Sequence, residues 1–231
     1  MRTLIIPDIH HRIERAEHWL ATQQYDHAVF LGDYFDDFEN HLRRTRLTAY
    51  WLRERMNKTR DIFLLGNHDI SYMFPNSPHF VSSGFSHEKS KAIQRILRPE
   101  HWERFKIAHA EQGWLMSHAG FHPFWVKDPS VKKLLKRCEM ALSRAKNHME
   151  DPLLGAGKER GGEQHLGGPL WMDWQTLVPI PGINQIVGHS PAEDVRAKIT
   201  SDSKNICLEV ENELAAALVE DGALTILRAD S

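Results

Sequence analysis

The N-terminal part of the chain alternates short apolar segments with longer amphipathic ones, which restricts the folds it can adopt. Residues 3–8, 27–33 and 61–69 each contain a continuous apolar run and close on polar residues, as buried parallel strands do. Residues 11–24 and 39–57 lie between them and have helical spacing. This order predicts an α/β fold with right-handed crossovers and a ligand site at the carboxyl ends of the strands.

The remainder of the chain adds elements of both kinds. We predict strands at 113–120 and 185–190, helices at 88–97 and 128–148, and a hairpin at 213–229. The stretch 155–168 holds six of the fourteen glycines and predicts a mobile loop. Because the sequence contains no internal repeat and no linker, we expect residues 1–231 to form one domain.

Composition excludes several classes of protein. The formal charge of −2 gives no overall nucleic-acid footprint, and two cysteines are too few for a disulfide framework. The longest stretch without formal charge, 174–192, contains three prolines and does not read as a membrane helix. The first apolar run is too short for a signal peptide, so we expect a cytoplasmic protein without a membrane partner. Fifteen histidines are the unusual feature, and imidazole serves metal ligation and proton transfer.

Five predicted strands end on residues that can bind metals or transfer protons. The motifs are Asp8-Ile9-His10, Gly32-Asp33-Tyr34-Phe35-Asp36, Gly66-Asn67-His68-Asp69, Ser117-His118-Ala119-Gly120 and Gly188-His189-Ser190. A single histidine at a strand end is more often a structural residue or a helix cap. Five such motifs, at strand ends that we expect to share one edge of the sheet, indicate a functional site.

The densest negative charge lies in the second motif, where Asp33, Asp36 and Asp37 fall within five positions. Crowded carboxylates raise each other's pKa unless cations neutralise them, so the cluster is either a solvated turn or a cation site. Gly-Asp sequences also favour tight turns. The choice between the two readings depends on the other motifs.

In order and spacing the five motifs resemble those of the calcineurin-like metallophosphoesterase superfamily: DxH, GDxxD, GNH(E/D), a strand-end His and a late GH. The resemblance covers about residues 8–190. The segments "SHAG" and "IVGHS" are most similar to the phosphoprotein phosphatase branch, which includes bacterial diadenosine tetraphosphatases. The resemblance implies a four-layer α/β/β/α sandwich with its active site at the carboxyl ends of the strands, and a hydrolase that acts on a phosphorylated substrate.

The donor set implies two divalent metal ions. Oxygen and imidazole donors without thiolate suit Mn²⁺, which we expect first, or Fe or Zn²⁺. Asp8 and His10 are expected to bind one ion, which Asp33 bridges to a second. The further ligands of the second ion are Asn67, His118 and His189. Ions about 4 Å apart can share a hydroxide at neutral pH, which attacks phosphorus directly.

The resemblance assigns acid catalysis to the residue that follows ligand Asn67. His68 is expected to protonate the leaving oxygen, with Asp36 orienting its imidazole. Many superfamily members extend the last motif to GHxH, but the second position here is Pro191, so the first ion has three protein ligands. The arginine that clamps phosphate in the related GDxxDRG motif is absent, and Asp37 takes its place.

Phosphate binding therefore needs other residues. The candidates for the clamp are three residues of the Gly-rich loop: Lys158, Arg160 and His165. We expect Asp37 to point away from the site or to pair with a cation of the Arg43–Arg46 cluster. The basic helix that contains this cluster is either a solvated face or a phosphate-steering patch. Trp171 and Trp174 either pack in the core or stack on a base.

The first expectation for the substrate is a phosphomonoester on a protein, a nucleotide or another small molecule. The alternatives are a dinucleoside polyphosphate, or a phosphodiester cleaved by a phosphodiesterase or nuclease. A rival from another class is a metal-bearing interaction module that has kept the fold and lost catalysis. Such a loss would first delete ligands or the acid, whereas all of them are present in this sequence.

Overall fold

The computed structural model describes residues 1–37, 41–211 and 213–230, and in these residues eleven strands form two sheets. In spatial order, the first sheet consists of β11 (Ala223–Asp230), β10 (Glu213–Glu220), β1 (Arg2–Ile6), β2 (His27–Phe30), β3 (Ile62–Leu64) and β4 (Phe105–Lys106). The second consists of β5 (Ala108–Glu111), β6 (Trp114–Ser117), β7 (Asn184–Val187), β9 (Lys204–Cys207) and β8 (Arg196–Ile199). Strands β1 to β4 pair in parallel, and so do β6, β7 and β9.

Helices connect the parallel strands. They are α1 (Ile13–Thr22), α2 (Leu42–Lys58), α3 (Asn67–Met73), α4 (His87–Ile96), α5 (Pro99–Trp102) and α6 (Val131–Lys146). Three short 3₁₀ helices cover Pro123–Trp125, Pro152–Leu154 and Lys158–Arg160. The predicted helices at 11–24, 88–97 and 128–148 are confirmed, as is the hairpin. The helix predicted at 39–57 is confirmed from residue 42, and its first two residues lie outside the described part of the chain.

Alternate residues along the strands of the first sheet face opposite sides, which creates the layers. One face of the first sheet, the outer face, carries Leu4, Ile6 and Phe30. The opposite face carries Ile5 and Val29, which belong to a separate hydrophobic cluster. The outward cluster includes the helix residues Ala16, Trp19, Leu52 and Ile93. The separate cluster includes the second-sheet residues Trp114, Met116, Ile186 and Ile206. The two sheets therefore pack face to face, with helices against the outer face of the first, in the mixed α/β arrangement that the resemblance implies.

The strand-end motifs are divided between the two sheets. Asp8, Asp33 and Asn67 follow β1, β2 and β3 of the first sheet, while His118 and His189 follow β6 and β7 of the second. The expectation that all five motifs share one edge of one sheet is therefore wrong. Apolar strands have the same sequence pattern whichever sheet they join, so the pattern alone did not separate them. Both sets of motifs nevertheless lie at carboxyl ends of parallel strands.

Two local structures add to the sequence expectation. The polar end of the predicted strand at 61–69 is the start of α3, which begins at Asn67, and Asp69 Oδ2 accepts a hydrogen bond from the Gly66 N–H at 2.9 Å. The Gly-rich stretch forms a loop that closes on itself, because the Lys158 N–H donates to the Gln164 carbonyl at 2.9 Å. Both arrangements place polar side chains near the strand ends.

Gly32 lies where the loop after β2 meets the loop after β3. Its φ is +114°, a conformation that L side chains rarely adopt, and a Cβ built on it would lie 2.5 Å from the Gly66 backbone nitrogen. The close approach of the two backbones brings the second and third motifs together. A side chain at this position would force the loops apart.

Gly32→Ala is expected to lower the free energy of unfolding by more than about 2 kcal/mol, because the strain of positive φ adds to the backbone collision. The matched control is Gly113→Ala, where φ is +80° but nothing lies within 4 Å of the added Cβ. The control is expected to lose about 1 kcal/mol. Urea unfolding followed by tryptophan fluorescence measures both values, and equal losses would show that the loop contact contributes nothing.

Candidate active site

Three predicted ligand atoms lie around Nε2 of the His118 imidazole. Its Nε2 lies 2.9 Å from Asn67 Oδ1, 3.0 Å from His189 Nδ1 and 3.4 Å from Asp33 Oδ2. Its Nδ1 lies 3.1 Å from the Leu31 carbonyl oxygen, which only accepts, so Nδ1 carries the proton and donates. The lone pair of Nε2 therefore faces the other three ligand atoms in the neutral imidazole.

A second group of predicted ligands forms around His10. Its Nε2 lies 3.8 Å from Asp8 Oδ2 and 3.6 Å from Asp33 Oδ2. Its Nδ1 donates to the Asp36 carbonyl oxygen at 2.6 Å, which fixes the ring and turns Nε2 toward the carboxylates. Asp33 belongs to both groups, as the sequence predicts for a bridging ligand.

The donor atoms fit divalent cations. In the groups Asp33, His118, His189 and Asp8, His10, Asp33, the ligand atoms all lie within 4.8 Å of one another. These atoms are carboxylate oxygens and imidazole nitrogens, all on buried residues except the partly buried His10, a donor set typical of Mn²⁺, Fe or Zn²⁺ sites. Without a cation or a proton between them, the facing lone pairs would repel one another.

The chain turns sharply where it delivers these side chains. His10, Asp33, Asp36 and His189 have φ between 42° and 67°, in the left-handed region that side chains with a Cβ avoid. Such conformations cost of order 1–3 kcal/mol each and persist only where other contacts fix them. The N–H groups of Ile9 and His10 both donate to the Asp33 carbonyl, at 3.1 and 2.7 Å. The ligand atoms are therefore held in place by backbone contacts.

The predicted acid and its partner lie beside the first group of ligands. His68 Nδ1 is 3.2 Å from Asp36 Oδ2, and the His68 N–H donates to Asp33 Oδ1 at 3.0 Å. Burial alone would lower the pKa of His68, but the carboxylates of Asp33 and Asp36 outweigh it and raise the pKa from 6.5 to about 9. The two carboxylates therefore favour the protonated imidazole, the form that a general acid needs.

Asp36 has two further partners that the sequence did not indicate. Lys89 Nζ donates to Asp36 Oδ1 at 2.8 Å, and Tyr72 Oη donates to the same oxygen at 2.7 Å. Burial raises the pKa of Asp36, but the hydrogen bonds from His68, Lys89 and Tyr72 outweigh it and lower the pKa. Lys89 and Tyr72 lie on α4 and α3, and in the sequence Lys89 is one charged residue of an amphipathic helix. Only the fold shows that its side chain is buried.

Two more buried carboxylates support the ligand loops. Asp69 accepts from the N–H groups of Gly66, Tyr34 and Phe35, at 2.9, 3.0 and 3.4 Å, so it joins the loops after β2 and β3. Its place in the third motif is a usable sequence signal. Glu209 Oε2 accepts from the Asp8 N–H at 3.2 Å, and burial raises its pKa to about 7. No pattern in the sequence marks Glu209.

Three residues are candidates for the phosphate clamp. Within the described part of the chain, Arg160 is the one that hydrogen-bonds a residue adjacent to a predicted ligand. Its Nη2 lies 3.3 Å from the Ser190 Oγ, one residue beyond His189, and 2.7 Å from Asp173 Oδ2. The ring of His165 is 6.3 Å from that of Phe124. Within the described residues, the side chains of His165 and Lys158 make no hydrogen bond or ion pair with a predicted ligand.

The structure also places Asp37 and the two tryptophans for which the sequence left two interpretations. Asp37 Oδ2 accepts from Arg44 Nη1 at 3.1 Å, as expected for a carboxylate paired with the basic cluster. Trp174 is buried, with Arg196 5.5 Å and Lys198 5.2 Å from its ring centre, which confirms core packing. Trp171 is partly buried, with its ring 6.5 Å from that of His189.

Among the helices described, none has the length and apolar character needed to span a membrane.

Residues 1–193 match the family model described as calcineurin-like phosphoesterase. The fold is similar to a cold-active protein-tyrosine phosphatase of a Shewanella species, with a TM-score of 0.59, 16% identity, and 98% of this chain and 80% of that chain covered. It is also similar to a putative diadenosine tetraphosphatase, with a TM-score of 0.55, 15% identity, and 98% of this chain and 93% of that chain covered. A third similar structure is a protein serine/threonine phosphatase from Saccharomyces cerevisiae, with a TM-score of 0.54, 12% identity, and 100% of this chain and 80% of that chain covered. A search of curated proteins finds no match.

Lys89→Met is expected to lower the free energy of unfolding by about 3–5 kcal/mol, because it removes the cation that binds Oδ1 of the buried Asp36 carboxylate and leaves only His68 on Oδ2. The matched control is Lys58→Met, which breaks an exposed ion pair with Glu54 and is expected to cause no measurable change. Urea unfolding of both variants gives the comparison. A loss in Lys89→Met no larger than in the control would mean that His68 and Tyr72 alone stabilise the carboxylate.

Proposed function

Because the chain belongs to the calcineurin-like phosphoesterase family, we propose that it hydrolyses phosphomonoesters carried by a protein or a small molecule. Family membership makes the protein a metal-dependent hydrolytic phosphoesterase. What we add is the substrate class and the role of each residue. The observation that carries the proposal is the position of Asp33, which lies 3.6 Å from His10 Nε2 and 3.4 Å from His118 Nε2, with the His68–Asp36 pair beside it.

In this proposal the residues hold two divalent ions, with Mn²⁺ first and Fe or Zn²⁺ as alternatives that suit the same donors. Asp8 and His10 would hold the first ion, and Asp33 would be a ligand of both. The other ligands of the second ion would be Asn67, His118 and His189. When bound, the ions activate a water molecule as the nucleophile and neutralise charge on the phosphate, so no covalent phosphoenzyme is needed.

His68 supplies the proton for the leaving group. Its Nδ1 is bound to Asp36, so Nε2 is the atom left to donate to the leaving oxygen. Asp36 orients the ring and stabilises the charged imidazole, and its own position is fixed by Lys89 and Tyr72. A dyad held in this way supports the cleavage of esters whose leaving oxygen needs protonation.

We assign the phosphate clamp to Arg160. Its guanidinium already lies beside the Ser190 hydroxyl, next to His189, and Asp173 holds it there. An arginine can bind two phosphate oxygens at once, which would replace the clamp that the second motif lacks. Asp37 is paired with Arg44, so its charge is partly balanced before a phosphate dianion arrives. These contacts favour a monoester over a less charged diester.

His68→Asn in the Mn²⁺-loaded protein is expected to slow hydrolysis of phenyl phosphate by about 10²–10⁴-fold, because phenolate is a poor leaving group that needs a proton. Hydrolysis of 4-nitrophenyl phosphate is expected to slow much less, since nitrophenolate leaves without protonation. Initial rates on both esters, on bis(4-nitrophenyl) phosphate and on a dinucleoside tetraphosphate give the comparison.

The control is His79→Asn, which removes an exposed histidine that pairs with Glu150 and should leave all rates unchanged. Equal losses on phenyl and 4-nitrophenyl phosphate would mean that His68 positions the phosphate and does not protonate the leaving group. Faster turnover of the diester or of the dinucleoside tetraphosphate by the parent protein would overturn the monoester assignment.

A further inference from the structure

A second cluster of possible metal ligands lies far from the candidate active site, and it consists of His27, His109 and Glu111. His27 opens β2, whose carboxyl end leads to Asp33. His109 and Glu111 lie on β5. Glu111 pairs with Trp114, the first residue of β6, whereas His118 follows the last residue of that strand. The cluster therefore lies at the opposite end of both sheets from the active site, and its members come from both sheets.

The ligand atoms of the cluster have separations suited to a tetrahedral ion. Glu111 Oε1 accepts a hydrogen bond from the Thr3 hydroxyl at 2.5 Å, whereas Oε2 lies 3.1 Å from His27 Nε2 and 3.3 Å from His109 Nε2. Around a Zn²⁺ ion with bonds of about 2.0–2.1 Å, neighbouring ligand atoms lie about 3.3 Å apart. Two of the three ligand-to-ligand distances match this value, and all three atoms lie within 4.8 Å of one another.

His109 Nε2 is a buried polar atom without a well-aligned hydrogen bond. Its one polar contact within the described residues is a poorly aligned approach of 3.3 Å to Glu111. A buried polar atom that lacks a well-aligned partner lowers the stability of the fold. A metal ion bound by His109 and Glu111, which face the same side of β5, would remove that cost.

We propose that His27, His109 and Glu111 form an additional divalent-metal site that binds Zn²⁺ and ties the two sheets together. Two imidazoles and one carboxylate are a common zinc donor set, in which water takes the fourth position. Side-chain exposures of 15% for His27, 20% for His109 and 14% for Glu111 leave a path for the ion and for that water. The Thr3 hydroxyl orients the carboxylate, as outer hydrogen bonds do in zinc sites.

The site would stabilise the fold and take no part in phosphate hydrolysis. The ion would join β2 of the first sheet to β5 of the second, at the end opposite the predicted active-site ligands. The competing account is a pair of ion pairs, in which the imidazoles of His27 and His109 both face Glu111, at 3.0 and 3.3 Å. That account predicts no bound metal.

The test is the zinc content of chelator-stripped protein reloaded with Zn²⁺, passed through a desalting column and measured by mass spectrometry. His109→Gln is expected to contain one equivalent less than the parent. The double variant Asp33→Asn/His118→Asn, which removes ligands of the active site, is expected to keep the equivalent that depends on His109. The two sites are thus counted separately, so a failure of the proposed function would not affect this result.

Two further variants sharpen the test. His79→Gln is the matched control, because His79 forms an exposed pair with Glu150 that consists of one histidine and one carboxylate. This variant is expected to bind as much zinc as the parent. Thr3→Val removes the hydrogen bond to Glu111 and is expected to weaken this zinc site about 10–100-fold.

Equal zinc content in the parent and His109→Gln would overturn the site. Crystals of the parent grown with Zn²⁺ give an independent check that needs no variant to fold. An anomalous difference peak at the zinc edge, among the three ligand atoms, is the expected result. Density from the two imidazoles and the carboxylate without such a peak would leave only the ion pair.

Discussion

The buried carboxylate of Asp33 joins the parts of the site that come from different elements. Its Oδ1 accepts from the backbone of α3 through the His68 N–H, and its Oδ2 faces His10 after β1 and His118 after β6. Burial alone would raise the pKa of Asp33, but the charges of His118, His68 and His10 outweigh it and hold the pKa well below its ordinary range. A carboxylate kept ionised among facing donor atoms is what two divalent cations require.

The fold brings these groups together at a cost in backbone strain. Parallel strands of two sheets end at the same place, and the residues just past them turn through left-handed conformations at His10, Asp33 and His189. Hydrogen bonds between the loops hold these turns, including the pair that His189 N–H makes with the Asp8 carboxylate at 3.1 and 3.2 Å. The strain is therefore concentrated at the site, where it fixes the direction of each ligand.

The sequence predicts much of this site because metal chemistry limits which residues can occupy strand ends. Asp8, Asp33 and His118 were identified from motif spacing, and the structure places them together. Lys89 and Glu209 were missed, since they reach Asp36 and Asp8 from 53 and 201 residues away along the chain. Contacts of that kind depend on how helices and sheets pack, as does the division of the motifs between two sheets, and neither leaves a local pattern.

The central claim is that Asp33 bridges two metal ions, and electron paramagnetic resonance of the protein loaded with two equivalents of Mn²⁺ tests it most directly. Two ions that share the Asp33 carboxylate are about 4 Å apart and interact magnetically. The account predicts the multiline spectrum of a coupled pair, which disappears in Asp33→Asn. Two equivalents of bound Mn²⁺ that give only the six-line spectrum of isolated ions would contradict it.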